Sequence, residues 1–247
     1  MAFPSVRSSR LTAVTSNATG WTLVFPFESA DIKDGGASYV QAGDLILVNI
    51  GRDGTSGTGS LDSGFGSALL DLNQTTTCRG LCFAKVASGS EGDIAYTVGA
   101  SEQGVARIAV FKDWYGSLAG VEVVASAVGS SSAPDVGTGT PSWGAADTYW
   151  RWAAANDSGL VSVNAYPTNF TDNQNADASG GGSGASLGGA GYKLNAASLN
   201  PAAGGLSSSE QWVCWLVAIR PYEGPPPYPD PLLAKQPHRW RGGYRAL

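Results

Sequence analysis

Residues 212–219 read Trp212-Val213-Cys214-Trp215-Leu216-Val217-Ala218-Ile219, eight consecutive positions without a polar side chain. A half-buried strand alternates apolar and polar residues, so a run apolar at every position has both faces to bury. Eight residues are too few for a membrane span and carry no helical spacing. The segment is therefore expected to be a central strand, or one lying against a partner.

Working outward, short alternating runs recur between clusters of Gly, Ser, Asn and Pro, which is strand punctuation rather than helix punctuation. Strands are expected over 20–27, 44–50, 80–86, 93–98, 105–111, 121–127, 148–154, 160–164 and 211–219. No long amphipathic helix emerges. In the 148–154 run, Trp150 and Trp152 share one face while Tyr149 and Arg151 share the other. Nine strands without βαβ alternation predict an all-β, two-layer antiparallel β-sandwich of jelly-roll or Ig-like type over residues 1–221. Residues 175–191, which contain SGGGSGASLGGAG, are expected to form a long flexible surface insertion.

The remainder, 222–247, begins YEGPPPYPDP. Consecutive prolines lack N–H donors and cannot enter a sheet interior, so an extended, proline-rich C-terminal arm is expected. An isolated chain leaves such a tail loose. The expectation is that it is tied down on another subunit, with Tyr222, Tyr228, Trp240 and Tyr244 as aromatic anchors and Arg239, Arg241 and Arg245 as hydrogen-bonding forks.

Composition narrows the function classes. Gly reaches 34 of 247 residues and charged residues only 14%, against an ordinary charged share of about 25%. A surface built from Ser, Thr, Asn and Gly suits a protein covered by neighbours, because each buried ion needs a partner. The net charge of −5 argues against a nucleic-acid binder. The charge is uneven, since Lys235, Arg239, Arg241 and Arg245 give the last thirteen residues a basic balance with no acid. No stretch approaches the ~20 apolar residues of a membrane span. MAFPSVRSSR carries no apolar run behind it, so synthesis in a bacterial host cytoplasm without a secretory leader is expected.

The parts of most catalytic sites are missing from the sequence. Histidine occurs once, at His238, which leaves His-based triads and HExxH zinc sites without their components. Gly184 to Gly188 match G-x-S-x-G around Ser186, but a nucleophile elbow follows a buried strand, and this match falls in the glycine-serine stretch read as loop. Cys78 and Cys82 on one strand stand ~13 Å apart, too far to bridge, and Cys214 lies in the apolar run where a thiol is inert. Asp172, Asn173, Asn175 and Asp177 alternate oxygen atoms that could suit Ca²⁺, yet no Gly and bidentate Glu follow as in an EF-hand. A pair of carboxylates is all a glycosidase requires, but acids such as Asp44, Glu91, Asp93 and Asp147 fall at strand edges where they form turns. Trp114, Tyr115 and Trp143 are candidate sugar-stacking faces or, more simply, core and interface. Sequons at Asn17, Asn73, Asn156 and Asn169 carry no weight in a bacterial host. No enzyme, cofactor or metal is expected.

Five segments in order, QAGDLILVNIGRDG (41–54), AKVASGSEGD (84–93), SEQGVARIAVF (101–111), TPSWGAADTYW (140–150) and SSSEQWVCWLVAIRP (207–221), resemble a β-rich family of bacteriophage and prophage virion structural proteins. The likeness spans roughly residues 10–221, and no one motif is specific alone. It implies a sandwich carried on the particle, with no catalytic set to transfer. The expectation is an accessory protein of a tailed-bacteriophage virion: a head decoration protein that stabilises the capsid and is anchored to neighbours through its arm. A tail, baseplate or fibre position is the near alternative, and a carbohydrate-binding adhesion module on host glycan the distant one. The expected partners are the major capsid protein, or tail and baseplate subunits, and further copies of the chain, with a trimer as the analogy. Neither nucleic acid nor membrane is expected as a partner.

Overall fold

The structure, a computed structural model, describes residues 2–224 apart from residues 37, 55, 56, 58, 63 and 76. Thirteen strands are present among them. The first six are β1 (Ser5–Leu23), β2 (Leu45–Asp53), β3 (Gly59–Leu61), β4 (Leu70–Gln74), β5 (Cys78–Val86) and β6 (Ile94–Lys112). The rest are β7 (Val121–Ser131), β8 (Ala146–Asn156), β9 (Val163–Ala165), β10 (Asp172–Ala178), β11 (Ser186–Ala196), β12 (Gly205–Leu206) and β13 (Glu210–Ile219). One sheet runs β1-β6-β2-β5-β4 with β3 added to β6, and the second runs β10-β11-β8-β13-β7. All pairings are antiparallel. The protein is thus an all-β, two-layer antiparallel sandwich. Each sheet comes from one half of the chain, whereas an immunoglobulin domain distributes consecutive strands between its sheets.

β13 lies between β8 and β7 and is central, as its two apolar faces require. Val213, Trp215, Val217 and Ile219 face the first sheet and pack with Leu45, Leu47, Cys78, Cys82 and Phe111. Trp212, Cys214, Leu216 and Ala218 face away and join Trp150, Trp152, Val161, Val163, Phe170 and Leu206. No second molecule is needed to bury either face, because the connections after β7, β8 and β11 roof the outer side. The Trp215 indole N–H donates across the sandwich to Asn49 Oδ1 at 2.9 Å, so the one polar atom of this side chain is satisfied. Its ring fits because β5 offers a glycine opposite: a Cβ on Gly80 would lie 2.6 Å from Val213 Cγ2 and 2.7 Å from the Trp215 ring.

The expected face assignment of β8 holds. Trp150 and Trp152 belong to the outer cluster, while Tyr149 sits in the inter-sheet core with its ring 5.0 Å from Phe111.

Three expectations change. The runs 93–98 and 105–111 are one nineteen-residue strand, β6, paired along its length with an equally long β1. Register shifts between Val14 and Gly20 let this ribbon turn back on itself. Trp21 therefore packs over Gly104, though Gly104 is paired with Val14 seven residues earlier. The far half of the ribbon covers the outer face of the first sheet with Trp21, Leu23, Tyr96 and Val98 against Ile46, Val48, Ile50 and Ile108. Secondly, residues 24–27 are not strand, the 160–164 run is reduced to β9, and β3 and β4 had no expected counterpart.

The largest correction concerns 175–191. It is no flexible insertion: β10 and β11 occupy most of it, with only residues 179–185 between them, and 184–191 are buried. Gly188 faces Val163, Gly189 faces Arg151 and Gly191 faces the Tyr149 hydroxyl, each closer than any Cβ allows. These glycines are packing surfaces for large neighbours, which periodicity reasoning cannot see because a glycine carries no side chain to pattern.

Trp215→Ala is expected to destabilise the protein by about 3–5 kcal/mol in urea denaturation. Gly191→Ala should cost about 1–3 kcal/mol by overpacking, and Tyr149→Phe introduced with it should recover part of that loss, since the hydroxyl is the first atom met. Additive losses in this pair would contradict the packing described.

Candidate functional site

The chain leaves the sandwich at a rigid root. After β13, Pro221 bridges Trp114, the Tyr115 N–H donates to Arg220 O at 3.0 Å, the Tyr222 N–H donates to Asp113 O at 3.0 Å, and the Arg220 N–H donates to Gly120 O at 2.9 Å. Residues 220–222 are thereby zipped against the segment that follows β6. Trp114 fixes that segment in turn, being buried, with its indole N–H donating to Gly43 O at 2.8 Å. Arg220 stacks over the Tyr115 ring at 4.4 Å, lies 6.0 Å from the Trp143 ring, and pairs with Glu223 at 2.6 Å. Tyr222, the first of the expected arm anchors, is the last residue of this root and is 57% exposed. Tyr228, Arg239, Trp240, Arg241, Tyr244 and Arg245, together with His238, lie outside the described residues.

The three candidate stacking aromatics are accounted for here. Trp114 is core, and Tyr115 and Trp143 are half-buried with Arg220 between them, so they form no open aromatic platform. An open depression of about 460 Å³ lies beside β10 and β11, lined by Thr171, Asp172, Tyr192 and Lys193 among others.

The oxygen-bearing run at 172–177 is strand β10, and its groups are turned to separate tasks. Asp172 lies 3.7 Å from Lys193. Asn173, at φ 49°, turns its carbonyl into the molecule, where Arg151 Nη1 donates at 3.1 Å and Arg107 Nη2 at 3.2 Å. Its Oδ1 accepts from Ser9 Oγ at 3.1 Å. The run is a clasp between β10 and β1, and among the described residues no group of three His, Cys, Asp or Glu is placed to hold a metal ion. Arg107 and Arg151 are buried, and burial pushes the Arg107 guanidinium down to about 10. The sequence placed Arg151 on one face with Tyr149 but did not show the burial of either arginine, which depends on the Asn173 carbonyl brought to them by β10.

Ser186 of the G-x-S-x-G match begins buried strand β11 rather than standing in a loop. Its Oγ accepts from Asn156 Nδ2 at 2.6 Å, and an amide cannot take a proton as a catalytic base does. That same Asn156 is buried and its Oδ1 accepts from the Ser158 N–H at 3.0 Å, so this sequon is an internal strand cap. Cys78, Cys82 and Cys214 are buried free thiols, each pushed upward by burial.

Carboxylates gather at one end of the sandwich, a grouping absent from the sequence reading. Asp53 closes β2, Asp157 follows β8, and Glu102 lies over Gly54, where a Cβ would come within 2.5 Å of its oxygens. Burial and the neighbouring charges of Glu102 and Asp157 lift Asp53 from an ordinary 3.8 to about 6. Burial raises Glu102 and Asp157 as well, with Arg52 opposing the shift at Glu102 and Glu210 adding to it at Asp157. Distance along the chain hides such a cluster, since residues 53, 102, 157 and 210 meet only when the two sheets stack.

No helix of the described residues is long and apolar enough to cross a membrane. The fold and this site define an antiparallel β-sandwich in which residues 220–222 are tied to the core beside an arginine–aromatic stack. Comparisons with protein-family models, curated proteins and solved structures return no match to this chain.

The raised carboxyl sets a pH dependence with a definite sign. The folded state holds a proton on Asp53 between pH 3.8 and about 6 that the unfolded chain has released, so this group's contribution to stability falls as pH rises across that window. Asp53→Asn should therefore be more stable than the parent chain at pH 7, with the difference vanishing near pH 4. Thermal melts at both pH values measure it, and a constant difference would show that the shift is not present.

Proposed function

We propose that the protein is an accessory structural component of a tailed-bacteriophage virion, a head decoration protein that clamps neighbouring capsid subunits through its C-terminal arm. The observation that carries this reading is the root: main-chain hydrogen bonds and the Trp114 anchor hold residues 220–222 against the sandwich. A force applied along a basic, proline-rich arm is transmitted from such a root directly into a stiff β-core. The poverty of charged side chains, at 14%, supports it, because surfaces meant to be covered avoid the desolvation cost of ions. So does the ordered series of segments that resemble virion structural proteins.

The way the sandwich buries its faces refines where partners would sit. The outer face of the first sheet is covered by the β1–β6 ribbon and that of the second by the chain's own connections, so contacts to the major capsid protein would fall to the arm, the loops and the sheet edges. Symmetry would multiply each modest contact across the particle. The same fold on a tail, baseplate or fibre differs in copy number, hundreds for a decoration protein against a few tens at most for a baseplate, roughly as symmetry sets it.

Removing residues 225–247 leaves the root intact and tests the arm directly. Binding of the shortened protein to bare particles is expected to weaken by at least about tenfold, equivalent to about 1.4 kcal/mol. Binding equal to that of the full chain would eliminate the proposed role.

A further inference from the structure

Five strands border the two sheets, β3 with only three residues, and they are closed off unequally. β1 is covered at its start, where Ser8 bridges Ile32 and the Lys33 N–H donates to Arg7 O at 2.8 Å, and its register shifts three times. β10 has a register shift after Asp172 and is clasped to the first sheet through Ser9 of β1 and Arg107 of β6, with Arg151 of β8 on the same Asn173 carbonyl. β4 is five residues long. Bulges, brevity and cover are the usual protections of an edge strand.

β7 has little of this protection. It is eleven residues long, VEVVASAVGSS, with no Pro, Lys or Arg. Its single charge, Glu122, is occupied by the Ser142 N–H at 2.9 Å and by the Ser142 hydroxyl. One irregularity lies near Val124, and from Ala125 to Ser131 the pairing with β13 is unbroken. Among the described residues, the main-chain groups of this stretch bond to β13 alone. Among the described residues the outward row of N–H and C=O groups is therefore unpaired. Val128, at its midpoint, is 41% exposed.

We propose that β7 is a self-association edge. A second copy of this chain adds its own β7 in antiparallel register about a two-fold axis at Val128, joining two five-stranded sheets into one of ten strands. An antiparallel strand pair is what a two-fold axis generates from one edge, so the strand is its own complement. Centred on Val128, this register places Val128 against Val128, Ser126 against Ser130 and Ala125 against Ser131, small or β-branched pairs that fit side by side. It also sets the two Glu122 carboxylates about 40 Å apart at ~3.4 Å per residue, far beyond the ~10 Å reach of surface charge. The inference stands apart from the virion reading, since it concerns the purified chain alone.

Sedimentation of the full chain, of Val128→Lys, of Val128→Glu and of an equimolar mixture of the two variants tests the proposal. The parent chain is expected to be dimeric. Each variant alone should dissociate at least about tenfold more readily, because like charges meet on the axis, and the mixture should recover the dimer. Circular dichroism checks that the variants keep the fold. Independently, Val128→Cys treated with oxidised glutathione should form a disulfide-linked dimer. Ser130→Cys should not, because its two copies would stand ~13 Å apart along the strands. A monomeric or trimeric parent chain, charge variants that dimerise unaltered, a mixture that stays monomeric, or crosslinking equal at 128 and 130 would each overturn the proposal.

Discussion

The structure rests on the burial of one strand from both sides. β13 sends Val213, Trp215, Val217 and Ile219 toward the first sheet and Trp212, Cys214, Leu216 and Ala218 toward the outer roof. A strand of this kind cannot sit at an edge or face water, so it dictates that the second sheet carry an apolar layer on each of its faces. The sheets must also approach closely around Trp215, and that approach depends on Gly80 presenting bare backbone to the indole. Large rings on one sheet and glycines on the other are two halves of one packing arrangement.

The same closeness explains the polar groups trapped between the layers. Arg107 and Arg151 are each carried inward by the alternation of their strands, and both converge on the Asn173 carbonyl. A buried guanidinium without a hydrogen-bond acceptor is costly, so Asn173 is held in the left-handed region to provide one. Among the described residues the outcome is a sandwich clasped between β10 and β1, with the main chain of β7 unpaired on its outer side from Ala125 to Ser131. This asymmetry is what separates a side that has been sealed from a side still able to pair.

The functional reading depends on how a compact β-core connects to its surroundings. Its sheet faces are internally covered, its sequence has few ions, and residues 220–222 are tied to the core by main-chain hydrogen bonds. The carboxylates at one end of the sandwich add a dependence on acidity to its stability and leave the root untouched.

Strands β2, β5, β7, β8 and β13 were legible from residue order alone, because alternation and β-branched or aromatic residues report directly on which face is buried. So was the split of β8 into a tryptophan face and a Tyr149–Arg151 face. The candidate site was legible in part: Tyr222 was named, but the Arg220 stack with Tyr115 and Trp143 joins residues that are distant in the chain. β11 was hidden, since Ser186 to Gly191 has almost no side chains to show a period and its burial comes from Tyr149, Arg151 and Val163 reaching over it. Residue order by itself determined that this is an antiparallel β protein with a doubly apolar strand at its centre. Only the tertiary structure decided that a glycine-rich stretch belongs to the core, that two arginines lie inside, and which edge is left unpaired among the described residues, because each depends on what the rest of the chain brings within a few ångströms.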